Sequence, residues 1–384
     1  MPGVVLVMTE RLAPNSLLSQ LDMQPRVRSF LARALEQGRT SHAYLFLGAP
    51  GSGKLEAAWA LAQALICDDG GCGTCDHCVR VARRTHPDVH LFSPESATGY
   101  LIAQTRELLE DVALAPIRAK AKVYIVDRAE QLRANSANAL LKTLEEPPAG
   151  VTFILLGTSA DAMLPTIVSR CQCVPFRTLS EEQAVAAVER ACGAPRGRCR
   201  MALSVTGGPA RAAEFLKSAE RQDARRATVR ALDMLRRSDE ADILMAAKDL
   251  VLAVKAPLDE VKSTQKAVLE QNADYLSRGA LKQLEDRNKR ELSARERSGI
   301  MEALASARSL LRDCLLRLED PAADLVNEDV PEVVERLAAA TDTAGAVRAL
   351  EAVSRAEARI ARNITPQLAI EVMLFDIRKA LLCL

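Results

Sequence analysis

Aromatic side chains are scarce in this chain of 384 residues, at 3%. That scarcity disfavours a β-sandwich or barrel, whose cores lean on aromatic and β-branched residues. No charge sign is in excess either: 51 Lys and Arg face 50 Asp and Glu, for a net charge of +1. The bulk basic surplus of a protein that holds nucleic acid alone by phosphate neutralisation is therefore missing, and any such contact must be local or shared with partners. No apolar run reaches membrane-spanning length, and the stretch Met1 to Met8 lacks the basic start and long apolar core of a secretory signal. A cytoplasmic protein with no membrane partner is the expectation, with Met8 as an alternative start.

What is present is 48% apolar and 26% charged residues, with Ala, Leu, Arg and Glu dominant. Such a composition predicts many amphipathic helices around a small parallel sheet, and the length favours two or three domains. Helical spacing runs from Gln24 to Gln37 and stops at Gly38. The apolar run Ala43 to Leu47 then enters a glycine-rich turn, followed by a helix from Lys54 to about Ile66. Further strands are predicted at Val89 to Phe92, Val123 to Asp127 and Phe153 to Leu156. Helices are expected over Ile102 to Leu114 and around Ala137 to Leu144, the second halted by Pro147 and Pro148. Alternating strands and helices predict a parallel α/β module ending near Phe176. The segment 177–217 reads as a small helical subdomain and 218–384 as all-α. Within the latter, the highly charged stretch from about Asp259 to Arg297 suggests an extended helical hairpin.

Gly48-Ala49-Pro50-Gly51-Ser52-Gly53-Lys54 satisfies the P-loop template between a strand and a helix. Its glycines let backbone N–H groups converge on phosphate oxygens, to which Lys54 adds positive charge. The position that should carry a magnesium-binding hydroxyl holds Leu55. Nucleotide can still meet the backbone and Lys54, but hydrolysis should be weak or absent. Asp127 ends an apolar strand where a P-loop protein keeps its second acidic residue, yet the next position is Arg128 rather than a water-polarising glutamate. Glu130 is open to two readings, a role at the site or a surface ion pair.

Ten cysteines occur, and Cys67, Cys72, Cys75 and Cys78 form C-x4-C-x2-C-x2-C. Four thiolates at that spacing can close a tetrahedral zinc site with no open position, a structural rather than catalytic arrangement. The alternative is four free thiols. His77 is expected to face solvent, and most of Cys171, Cys173, Cys192, Cys199, Cys314 and Cys383 to be small buried residues.

Several further blocks, Ser41-His42-Ala43-Tyr44-Leu45-Phe46, His86-Pro87-Asp88-Val89, Asn138 to Pro148 and Ser169-Arg170-Cys171, together with the loop and the cysteines, resemble bacterial clamp-loader subunits of the DNA polymerase III gamma/tau and delta-prime type. The resemblance is strong over about residues 18 to 216. It is thinner beyond, at Leu311-Arg312-Asp313, Leu325-Val326-Asn327 and Asn363 to Glu371. It implies an AAA+ P-loop domain at 1–176 with a zinc module at 67–78, a lid at 177–217 and an oligomerising collar at 218–384. It also implies Arg170 acting in trans as an arginine finger on a neighbour's ATP, the alternative being a salt bridge at a domain surface, and Thr158 (or Ser159) and Arg211 near sensor positions. Other clamp-loader subunits (gamma/tau, delta), the sliding clamp and primed DNA would be the partners. Leu55 and Arg128 depart from the motor pattern and favour the delta-prime role of a stator. A gamma/tau-like motor is the alternative, and a stand-alone P-loop kinase or GTPase a remote one.

Overall fold

Five short strands alternate with helices through the first half of the chain, and the second half is helical throughout. The computed structural model describes residue 13 and residues 16–94, 99–132, 134–272 and 278–381; the stretch Met1 to Met8 and Cys383 lie outside them. Two units are distinguished, 1–183 and 184–384.

In the first unit, α1 (Pro25–Glu36) opens with proline at its first turn, where the missing N–H costs nothing. Then follow β1 (Ala43–Leu47), α2 (Lys54–Ile66), α3 (Asp76–Ala82), β2 (Val89–Phe92), α4 (Ile102–Val112), β3 (Lys122–Val126), α5 (Ala134–Glu145), β4 (Val151–Gly157), α6 (Pro165–Val168) and β5 (Gln172–Pro175). The strands are all parallel in the order β2-β3-β4-β1-β5. Because every strand points the same way, the loops after β1, β3, β4 and β5 gather at one edge of the sheet, where ligands bind in open α/β folds. β3 and β4 are buried along their whole length, as befits central strands covered on both faces. One face packs Leu31, Phe46, Leu61, Ile125 and Ile154, and the other Leu45, Tyr124, Leu140, Phe153 and Leu155.

The elements predicted from periodicity are present, but β5 is an addition. Its four residues bury only Val174, so it carries neither a full apolar run nor a long alternation. It forms the sheet's outer strand beside β1 and ends in Pro175, as an edge strand tolerates.

The second unit holds α7 (Glu181–Cys192, whose first turn spans the boundary), α8 (Arg196–Thr206), α9 (Pro209–Lys217), α10 (Ala219–Met234), α11 (Glu240–Lys255), α12 (Leu258–Asn272), α13 (Arg278–Glu319), α14 (Pro331–Ala338), α15 (Thr343–Ala361) and α16 (Pro366–Leu381). No strand occurs here among the described residues. α12 and α13 pack on each other across the charged stretch as a helical pair, and residues 273–277 between them lie outside the described residues. A large core joins α10, α11 and α13 to α16 through Leu232, Leu250, Leu310, Val353 and Met373, and a smaller one lies within α7 to α9 around Val185, Ala202 and Phe215.

Buried polar groups fix the second unit. Asp313, fully buried, accepts hydrogen bonds from the Asn327 backbone at 2.7 Å and from its Nδ2 at 2.9 Å. Asn327 Oδ1 accepts from Arg225 at 2.9 Å, and Arg225 also grips Asp329 at 2.6 Å. The Leu-Arg-Asp and Leu-Val-Asn blocks thus meet in space. Asn327 thus satisfies one oxygen of buried Asp313, Oδ2, while Oδ1 is buried without a partner.

Candidate functional site

The loop after β1 turns through Gly51 (φ +77°) and Gly53 (φ +87°), left-handed conformations that suit only glycine without strain. Gly48 is needed for a different reason. A β-carbon there would stand 2.9 Å from both Cβ and the carbonyl oxygen of Phe176, just after β5. Gln24 ties the loop from the other side, donating to the carbonyls of Ser52 (2.9 Å) and Arg177 (2.8 Å).

Lys54 is turned onto its own loop: Nζ donates to the carbonyl of Gly48 and, at 2.8 Å, to that of Gly157 at the end of β4. Burial lowers its pKa, against the opposing charges of Glu130 and Asp127. Those two acids therefore share the site with Lys54. One oxygen of Glu130 is buried without a partner, which favours its reading as a site residue over a surface ion pair. The Ser52 hydroxyl is likewise buried and unpaired.

Leu55 packs its half-buried side chain against the apolar core beside α2, so the hydroxyl position of the template is occupied by hydrocarbon. Asp127 is held by its backbone, whose N–H donates to Phe92 and whose carbonyl accepts from Tyr100. Its carboxylate pairs at 3.4 Å with Arg128. Arg128 sits at φ +47°, uncommon for a residue with a side chain. Thr158 and Ser159 follow β4 on the same edge and are exposed, and the Ser159 hydroxyl accepts from the Ala162 N–H.

The four cysteines come together. Cys67 caps the end of α2, Cys75 caps the start of α3, Cys78 lies inside α3, and Cys72 sits on the loop between. Gly70, Gly71 and Gly73 all have positive φ along that wrap. The sulfurs lie within 4.8 Å of one another, with Cys67 to Cys72 at 3.7 Å, Cys67 to Cys75 at 3.8 Å and Cys72 to Cys78 at 3.9 Å. A tetrahedron of thiolates about 2.3 Å from a zinc ion has edges of about 3.8 Å, so the donor set fits such an ion. The spacings are far too long for disulfides. Backbone N–H groups of residues 72, 75 and 78 point at sulfurs at 3.4 Å, the pattern that stabilises thiolate. The Cys72 thiol is lowered to about 6, chiefly by the Thr74 and Cys75 backbone, whereas burial raises Cys75 and Cys78. A cation in the cage would settle all four as thiolates.

His77, expected to face solvent, is half-buried. Its Nδ1 meets Nε2 of buried His86 at 2.8 Å. His86 Nδ1 accepts from the Asp88 N–H, so in the neutral ring the proton sits on Nε2 and is donated to His77. Asp88, fully buried, accepts from the N–H groups of Ile117 (2.6 Å), Arg118 (2.8 Å) and Ala119 (2.9 Å). The His-Pro-Asp block thus anchors the loop after α4 rather than touching the phosphate loop.

With this geometry in view, the relatives are informative. A family model described as DNA polymerase III, delta subunit, matches residues 23–180. The delta-prime subunit of DNA polymerase III from Bacillus subtilis is 35% identical over 217 residues, covering 56% of this chain and 65% of that protein. The tau subunit from Salmonella typhimurium is 42% identical over 164 residues, 42% of this chain and 25% of that one. Residues 23–180 are thus similar to subunits of DNA polymerase III, of both the delta-prime and the tau type. The chain spans just under two thirds of its delta-prime relative and a quarter of the tau relative. A gamma subunit-related protein from Thermotoga maritima superposes over 92% of the chain and 99% of its own, at 17% identity and a TM-score of only 0.43.

Within this matched region, Arg170 follows α6 with one third of its side chain exposed. It pairs with Glu145 at the end of α5 and donates to the Thr166 carbonyl (3.0 Å) and the Ser169 hydroxyl (3.2 Å). The Asn138 to Pro148 block therefore supplies the carboxylate that holds Arg170. Arg211 belongs to the second unit, where it donates to Ser298 on α13. Of the six scattered cysteines, Cys199 and Cys314 are buried as expected. Cys171 and Cys192 are half-buried and Cys173 is exposed, because β5 is an edge strand. Sequence reasoning missed Gln24, Gly157, Glu145 and Arg225. Each acts through a partner more than 20 residues away, which no local spacing encodes.

Proposed function

We propose that the chain is a delta-prime-like stator of the DNA polymerase III clamp loader, working in the cytoplasm with gamma/tau and delta subunits during sliding-clamp loading on primed DNA. In this reading 1–176 is the AAA+ module, 177–217 its lid and 218–384 the collar that assembles with neighbours. The observation that carries it is the phosphate loop. Leu55, half-buried against the core, stands where a magnesium-binding hydroxyl is required, Lys54 is spent on the carbonyls of Gly48 and Gly157, and Arg128 stands in place of the water-polarising acid. Gly48, Gly51, Ser52, Gly53, Lys54, Asp127 and Thr158 still outline a place for ATP, without the metal chemistry that breaks it.

Arg170 then supplies the activity of the chain in the complex. A permanently charged, planar guanidinium meets charge developing on the γ-phosphate of a neighbour's ATP, and Glu145 positions it beforehand. Cys67, Cys72, Cys75 and Cys78 hold zinc, whose closed shell stiffens the link between α2 and α3. A gamma/tau-like motor has the 42% identity to tau in its favour, but requires hydrolysis at Leu55. The test is Arg170→Ala assembled with partner subunits. We expect the DNA-stimulated ATPase to fall at least tenfold, about 1.4 kcal/mol or more in barrier, with assembly intact. An unchanged rate refutes the finger.

A further inference from the structure

The second unit carries a groove of about 410 Å³ that none of the roles above uses, lined by Arg198 from α8, by Arg225, Arg226 and Arg230 from α10, and by Asp329 just ahead of α14. Met201 and Val229, both nearly buried, form its floor. Four guanidinium groups against one carboxylate leave a lining charge of +3. Arg225 is 6% exposed and locked by Asp329 and Asn327, so it consumes the one acid of the lining. Arg198 bonds to neutral Gln222, and Arg226 pairs with Asp223, which lies outside the lining. Arg230 has no ion-pair partner among the described residues. Arg226 and Arg230, one helical turn apart, project side by side. With Asp223 counted, the groove still carries a net charge of +2 on a chain whose overall charge is +1.

A carboxylate is satisfied by one bidentate arginine, whereas a phosphate has oxygens for several. The volume lies within the range of small-ligand sites and suits one nucleotide rather than a bare ion. We propose that this groove binds a nucleotide phosphate on Arg198, Arg226 and Arg230, with the sugar and base over Met201 and Val229. The source is either a free nucleotide or one unit of a single strand. This inference is independent of the reading of the phosphate loop.

The test uses the full chain carrying Lys54→Ala, so that the P-loop does not contribute, titrated with dTMP, inorganic phosphate and a labelled twelve-residue oligodeoxythymidylate. Arg226→Glu with Arg230→Glu is compared with Lys248→Glu with Arg348→Glu, exposed positions on α11 and α15 that change net charge equally. We expect the groove pair to weaken binding at least tenfold and to flatten the logarithmic salt dependence by about 1 to 2, the control pair less than twofold. Tighter binding of the oligonucleotide than of dTMP assigns the groove to a strand, and equal binding to a free nucleotide. The proposal falls if the wild-type groove binds neither, if inorganic phosphate binds as well as dTMP, or if both charge pairs weaken binding alike.

Discussion

Asp88 shows how much one carboxylate can organise. Buried beneath the loop after α4, it takes three backbone N–H groups, and a neutral amide cannot replace it because its NH2 would face donors. Asp88→Asn should cost about 3 kcal/mol, read as a fall in the unfolding midpoint. Burial acts to raise the pKa of Asp88, but the bonds from Ile117, Arg118 and Ala119 outweigh it and the net shift is downward. A depressed carboxylate contributes stability above its unfolded pKa of about 3.9 and loses it as pH falls through the lower folded value. The wild-type advantage over Asp88→Asn should therefore be constant above about pH 5 and shrink only below about pH 4. An advantage that disappeared near pH 7 would overturn this account of the carboxylate. Gly48 is the second decisive residue: its substitution by alanine drives Cβ into backbone at Phe176 and should cost about 1 to 3 kcal/mol, seen as a lowered melting midpoint.

At the level of elements, the link between α2 and α3 depends on its four sulfurs. The loop from Cys67 to Cys75 has positive-φ glycines and few apolar contacts of its own, so a bound cation supplies what a core does elsewhere. Purified chain should contain one zinc per molecule by elemental analysis. Chelation, or Cys78→Ser, should lower the melting midpoint of the first unit by roughly 10 °C, equivalent to about 3 kcal/mol or more. A metal-free chain of unaltered stability would mean four free thiols. The cage was legible in the sequence because its ligands lie within twelve positions, and so were the strands and helices whose periodicity is unbroken. β5 was not, since an edge strand with one buried residue has no pattern to read. The contact of half-buried His77 with His86 was missed for a related reason: His86 is brought near only by the turn after α3. Local spacing reports local geometry, and the clasp of Gln24 on the phosphate loop or of Glu145 on Arg170 arises from the fold as a whole.

For the whole molecule, the two units have separate cores and separate reporters. The single tryptophan, Trp59, lies buried in α2 immediately beyond the phosphate loop, so its fluorescence follows the first unit, while far-ultraviolet dichroism is dominated by the helices of 184–384. Nucleotide that engaged Lys54 with a Kd near 10 µM would, at about 1 mM, stabilise the first unit by about 2.7 kcal/mol and move the tryptophan transition by several degrees. Binding must first detach Lys54 from two carbonyls and then proceed without a hydroxyl for magnesium. We therefore expect a shift below about 1 °C with magnesium and ATP, and no hydrolysis above background by the isolated chain. Chelation of the cysteine cage should, in the same samples, move the fluorescence transition much further than the dichroism. Turnover of about 1 per second or faster, abolished by Lys54→Ala, would place the chain among motors and leave Arg170 a secondary role. Absence of turnover would leave the proposed stator reading standing, with Arg170, held by Glu145, as the group to test next in the assembled complex.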